Sequence, residues 1–234
     1  MKTNMGELIL QGTPDVFILL KRSARSRRLS LRVSRLDGQV SMSVPNWTSD
    51  AEAMRFAQEK EGWIRSQLSG LVAPTVPRVG GVVLFEGVEI PVVSGQGRSV
   101  QMQGGQMHVP GPPERSAARV AAFLKVAARQ RLTQASDHYA EQLNLSFGRV
   151  SIRDTRSRWG SCSSAGNLMY SWRCLMAPQQ VLEYVAAHEV AHLAEMNHSP
   201  AFWAVVERLY GDHMPARRWL RENGDQLHRV QFGD

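Results

Sequence analysis

The sequence predicts an α+β protein, and three observations carry that prediction. Short alternating apolar runs separated by Asp-Gly, Glu-Gly and Gly-Gly pairs crowd the first half. Stretches with apolar residues three and four apart fill the second half. Strands come first and helices gather later, rather than alternating as in a parallel α/β sheet. The expected organisation is a β-rich N-terminal subdomain with one helix over 1–112. A compact second subdomain over 113–234 follows, with a long helix, a small sheet, a histidine-bearing helix and capping helices.

Taken in order, Val16 to Leu20 is a continuous apolar run, expected to form a strand buried on both faces. Leu29, Leu31 and Val33 alternate with Ser30, Arg32 and Ser34, and Asp37-Gly38 precedes Val40, Met42 and Val44, which reads as a hairpin with a two-residue turn. Ser49 to Leu68 carries Ala53, Phe56, Ala57, Ile64 and Leu68 at helical spacing, with Thr48 or Ser49 as cap. A Pro- and Gly-containing connector spans 70–81. Two more hairpins follow, turning at Glu86-Gly87 and Gly104-Gly105. Pro110-Gly111-Pro112-Pro113 marks the expected boundary. Beyond it, Glu114 to Leu143 is an Ala-rich helix, 149–154 and 167–175 are strand candidates flanking a loop with Trp159 and Gly160, and two shorter helices end near Asn223-Gly224.

The most informative segment is His188-Glu189-Val190-Ala191-His192, followed by His198. Pro178 suits a first helical position, and no Gly or Pro interrupts 179–196. Two imidazoles four apart on a helix lie about 40° apart around the axis and about 6 Å apart along it, so both can reach one metal ion. Glu189, one step round, lies beside that ion, where its carboxylate can take a proton from a metal-activated water. A helix continuing to 198 would carry His198 out of reach; a break expected at 196–198, with Ser199-Pro200 starting a new helix over 201–210, leaves His198 on a turn that can fold back. Three neutral imidazoles with one open position describe a catalytic zinc site. Glu207 on the following helix is an alternative third ligand, since zinc also accepts carboxylate oxygen. Cobalt, nickel or manganese suit the same donors.

The run Ser157-Arg158-Trp159-Gly160-Ser161-Cys162, then His188 to Leu193, then Asn197-His198-Ser199-Pro200 with Phe202-Trp203, resembles the YgjP-like metallopeptidase domain family, bacterial relatives of the SprT and WLM zinc proteases. The resemblance is strongest over 150–205 and weaker from the basic hairpin near residue 25. It implies a compact zincin-like second half, one Zn2+ on His188, His192 and His198, and a general base at Glu189. The spacing from first to third His equals that of the metzincins, but Glu195 stands where those carry Gly, so the chain is not placed among them.

Around the motif, Arg158 is placed to stabilise an oxyanion, and the neighbouring strand to pair with an extended peptide. The same loop also reads as ordinary packing, with Trp159 as a core plug and the arginines solvated. Phe202 and Trp203 are expected to pack under the site. His108, His138, His213 and His228 have no ligand spacing. Cys162 and Cys174 are the only cysteines and read as reduced thiols in the cytoplasm. No apolar stretch approaches 18 residues and the first eleven residues lack a signal-peptide core, so no membrane partner is expected. The net charge is +7, and seven of the fifteen residues from Lys21 to Arg35 are basic. That cluster can hold nucleic acid or an acidic partner, or simply protect an edge strand. Three functions therefore stand: a zinc peptidase acting on peptide or protein; a metal-dependent phosphoanhydride hydrolase with arginines near 153–158 and 22–35 on a nucleotide; and a nucleic-acid-associated protein with a structural metal.

Overall fold

Along the second and fourth strands of the first unit buried side chains alternate with more exposed ones, since one face of their sheet packs on the core. This computed structural model describes residues 5–34, 37–70 and 73–233. Its contacts divide the chain into Met1–Pro74 and Thr75–Asp234. In the first unit β1 (Met5–Leu10), β2 (Val16–Ser23), β3 (Ser30–Val33) and β4 (Val40–Pro45) form a sheet in the order β1-β2-β4-β3. Val16, Ile18, Leu20, Val40, Met42 and Val44 point into a core with Ala53, Ala57 and Ile64 of two helices. Phe17 faces outward at 58% exposure. The run 16–20 is thus buried on one face only, which corrects the expectation of two.

The expected helix over 49–68 is two helices, α1 (Asp50–Glu59) and α2 (Glu61–Ser69), jointed at Lys60, whose ψ of 6° departs from helical geometry. Ser49 caps α1 by accepting from the Glu52 N–H. Arg65 of α2 donates to the carbonyls of Pro14 and Gln11, tying down the β1–β2 connection. The connection between β3 and β4 is longer than two residues: Val33 pairs with Val40, and the Ser34 N–H donates to the Gln39 carbonyl. Residues 35–36 of that connection lie outside the described ones.

The second unit opens with β5 (Val82–Phe85), β6 (Val88–Gly95), β7 (Gln101–Gln103) and β8 (Gln106–Pro110), in the order β5-β6-β8-β7. Both hairpins turn where expected, with positive φ at Glu86, Gly87, Gly104 and Gly105, as a two-residue turn of primed type needs. Val83, Val92, Met107 and Val109 share a core with Val120, Leu124 and Leu132 of α3 (Ser116–Leu143). The expected boundary at 112/113 therefore falls inside this unit. These hairpins cannot bury their apolar face alone and find its cover in α3, so the division lies in the 70–81 connector instead.

A second sheet of β9 (Val150–Arg153), β10 (Gly160–Cys162) and β11 (Leu168–Ser171) follows, in the order β10-β11-β9. The strand candidate 167–175 ends at Ser171, and a 3₁₀ turn over Trp172–Met176 leads into α4 (Gln179–Ala191). Helices α5 (Pro200–Tyr210) and α6 (Met214–Arg229) complete the unit. Gly224 does not end the last helix. A Cβ there would meet the Trp159 ring at 2.8 Å, so Gly224 is a packing glycine inside α6.

Arg173 locks this arrangement. Its guanidinium, 10% exposed, pairs with Asp154 on two bonds of 2.7 and 3.1 Å and donates to the carbonyls of Leu227 and Val230 at 2.6 and 2.8 Å. Burial raises the Asp154 pKa, but hydrogen bonding and charge from Arg173 outweigh it and hold the carboxyl below its ordinary range. Arg173→Met strands two buried carbonyls and should cost about 2–4 kcal/mol, read from the shift in urea midpoint. Since the folded Asp154 pKa is depressed, its contribution is present above the unfolded pKa and fades as pH falls through the folded value. Asp154→Asn should remove that acid-side loss, leaving a flatter stability profile below pH 5 than the parent shows.

Candidate metal centre

The histidine helix α4 lies in the driest part of the second unit: Ala186, Ala187, Val190 and Ala191 are fully buried. Small residues at these positions let neighbouring elements approach closely, so α4 packs against α3, α5, α6 and β10. The helix ends at Ala191, five residues before the expected break, and His192 is its C-cap, still right-handed helical at φ −65° and ψ −16°. The relation of His188 to His192 is kept, and the chain then has room to turn. Asn197 accepts from the Ser199 N–H, and Ser199 caps α5 by accepting from Phe202. His198 comes back over the helix end.

One ring nitrogen from each of His188, His192 and His198 lies within 4.8 Å of the others. The Nε2 atoms of His188 and His198 are 3.1 Å apart. Two nitrogens bound tetrahedrally to one zinc at its usual distance lie about 3.3 Å apart, so this spacing is that of two ligands sharing an ion. His192 Nδ1 lies 3.0 Å from the Glu195 carbonyl. A carbonyl only accepts, so Nδ1 carries the proton and Nε2 keeps its lone pair for a cation. Burial, then the neighbouring imidazoles, pushes the His188 pKa down to about 3, and burial lowers His192 too. Both rings are neutral near pH 7, the form a metal needs. The donor set therefore fits a divalent cation. His188 Nδ1 is buried with no hydrogen-bond partner among the described residues.

Aromatic side chains shape the floor and wall. Fully buried Phe202 stacks on His192 at 4.4 Å and meets His188 and His198 edge-on at 4.9 and 4.8 Å. Trp203 lies 5.7 Å from the His188 ring, and His213, which lacked any ligand spacing, stacks between Trp203 and Tyr184. His228 stacks on Trp159 at 4.8 Å, while His108 and His138 stay outside the cluster.

Glu189 is 6% exposed and rests against β10. A Cβ at Gly160 would meet its Cγ at 2.5 Å, so only glycine permits the carboxylate to sit there. Burial raises its pKa to about 8, against lowering by the Arg158 charge and by the backbone N–H of Cys162, which donates to it. The three imidazoles, Glu189 and Arg158 open onto one cavity of about 510 Å³, walled also by Trp159, Tyr184, Met196 and Leu220. Arg217 of α6 lines it as well, its guanidinium 5.0 Å above the Trp203 ring. Sequence reasoning missed Arg217, since nothing in its spacing ties α6 to the motif, and it read β10 as part of a loop. Glu207 does not join the histidine group.

The raised Glu189 pKa predicts the sign of a stability effect in metal-free protein. Ionising a carboxyl whose folded pKa of about 8 exceeds its ordinary 4.5 works against folding. The penalty is absent at pH 4, grows as pH rises between those values, and is complete by pH 9. Glu189→Gln should therefore raise the Tm of metal-free protein by several degrees at pH 9 and leave it unchanged at pH 4, by calorimetry.

No curated protein matches this chain. Among solved structures, the crystal structure of the metallopeptidase zymogen of Pyrococcus abyssi abylysin is similar at 22% identity and a TM-score of 0.36, over 43% of this chain and 98% of that one. The pattern of the YgjP-like, metallopeptidase domain family matches residues 27–223, most of the sequence. With three imidazoles converging beside a buried carboxylate, and that match running through them, the chain belongs to the YgjP-like metallopeptidase family, whose members are metal-dependent peptidases.

Proposed function

We propose that this protein is a zinc peptidase in which Nε2 of His188, His192 and His198 hold one Zn2+ and Glu189 is the general base. The convergence of three ring nitrogens beside one buried carboxylate carries this reading. Three nitrogen donors suit zinc and leave a coordination position open. Bound there, the cation supplies Lewis acidity, polarising the scissile carbonyl and acidifying water.

The chain's own groups supply the rest. The Glu189 carboxylate accepts a proton from the attacking water and returns it to the leaving amide nitrogen as the C–N bond breaks. A pKa near 8, before any cation lowers it, makes its protonated form a competent acid close to neutral pH. The Cys162 N–H and the close approach of Gly160 fix its orientation. Arg158 at the cavity mouth offers charge to the oxygen on which negative charge develops. The edge of β10 not paired to β11 lines the same cavity and presents backbone groups to an extended peptide. Arg158 and Arg217 together also suit an anionic substrate, which keeps the phosphoanhydride reading in the test.

Glu189→Gln should lower kcat on a peptide library at least about 10³-fold while metal analysis still finds one zinc per chain. Chelation should abolish activity and added zinc restore it. Hydrolysis of nucleoside triphosphates at a rate above that of peptides, lost in the same variant, would favour the second reading. Gly160→Ala, which pushes Glu189 aside, should lower kcat about 10- to 100-fold with KM and bound zinc little changed. Unaltered kcat in that variant would remove β10 from the mechanism.

A further inference from the structure

The first unit carries a second surface with chemistry of its own. No Asp or Glu occurs between Asp15 and Asp37, while Lys21, Arg22, Arg25, Arg27, Arg28 and Arg32 all fall in that interval. Arg22 is structurally engaged: it pairs with Asp50 and donates to the Thr48 carbonyl at 2.6 Å. Lys21, Arg25, Arg27, Arg28 and Arg32 are exposed, with no ion pair to any carboxylate among the described residues. Such a concentration of unneutralised charge is costly in self-repulsion and favours a polyanion.

Topology gathers these cations around one aromatic side chain. Strand β4 lies between β2 and β3, parallel to the first and antiparallel to the second. The chain from Ser23 at the end of β2 to Ser30 at the start of β3 must therefore cross the C-terminal end of β4. Arg25, Arg27 and Arg28 are on that crossing. Pro45 pairs with Ser23 there, and two residues later Trp47 leaves the sheet at 72% exposure. Burying an indole is worth several kcal/mol, and an indole left this open is a mark of a binding surface. Lys21 and Arg32 extend the positive charge down the outward face of the sheet, opposite Ser43 and Ser41.

We infer that this rim of the first unit binds single-stranded nucleic acid, with the arginines on phosphates and Trp47 stacked on a base. Six of the seven basic residues in that interval of the sequence are arginine, whose planar fork grips phosphate bidentately. A flat indole beside them takes an unpaired base, which a duplex keeps inside its stack. The exposed apolar pair Ile9 and Phe17 lies at the other end of β2, about 20 Å along the strand from Ser23, so the crossing with Arg25, Arg27 and Arg28 and the Trp47 indole beside it stand apart from that apolar pair, whereas a lipid surface would ask for them together. The inference is independent of the metal centre and of the reaction assigned to it.

Fluorescence anisotropy of a labelled twelve-nucleotide single-stranded DNA, titrated with the full chain between 50 and 300 mM salt, tests the inference. Log affinity should fall with log salt at a slope of about −3, near −0.7 per phosphate contacted. Arg25→Ala/Arg27→Ala/Arg28→Ala should flatten that slope by about 2. Trp47→Ala should weaken binding about 5- to 100-fold with the slope retained. Circular dichroism should match the parent in both variants, which alter only exposed side chains, and chelation of metal should leave binding unchanged. Absence of binding at 50 mM salt, indifference to both variants, loss of binding on chelation, equal affinity for the duplex, or binding to anionic phospholipid vesicles alone would each overturn it.

Discussion

A carboxylate pressed against a glycine is the constraint on which the second unit depends. Glu189 has almost no solvent, and it is there because β10 brings Gly160 within contact of its side chain while the Cys162 N–H faces it. That approach requires β10 to be held close to α4. Trp159, just before β10, provides the hold: its ring fills the space left by Gly224 in α6 and stacks on His228, and its carbonyl accepts from the Ser171 N–H. Two glycines far apart in sequence are thus parts of one packing solution. The first admits the carboxylate, and the second admits the indole that fixes the strand beside it.

The cost of this arrangement is electrostatic, and it shows what the site is built for. An acidic group with its pKa raised to about 8 and an imidazole pushed down to about 3 both lose solvation with little protein compensation. The buried His188 Nδ1, with no partner among the described residues, adds to that cost. Three rings converge with one nitrogen each on a common point, and a divalent cation held there turns that crowding into attraction. The desolvation of these groups and the affinity for metal are two readings of one charge distribution.

Much of this was legible in the residues because periodicity and local chemistry act over short range. The His188/His192 spacing demanded a helix, Ser199-Pro200 announced the next, and Gly87, Gly104 and Gly105 marked turns at positive φ that glycine adopts without strain. Phe202 under the imidazoles followed from its place just past His198. What escaped depends on distant partners. Strand β1 has a weak pattern of its own and exists by pairing with β2 over Met5–Leu10. The outward face of β2 looked buried because Phe17 and Leu19 are apolar, yet no helix of its unit covers them. Gly224 resembled a helix stop because the ring it accommodates is contributed from sixty-five residues upstream. Arg217 entered the cavity through the packing of α6, which no local signal encodes.

The two units divide the chemistry, one with a histidine-lined cavity and the other with an open basic rim. Anomalous X-ray diffraction from crystals of zinc-loaded protein, collected either side of the zinc edge, locates the metal directly. The account predicts one anomalous peak about 2.0–2.1 Å from a ring nitrogen of each of His188, His192 and His198, with Glu189 beside it but outside bonding distance. A peak that engages Glu189 or Glu207 in place of His198, or zinc found only elsewhere on the chain, would contradict it.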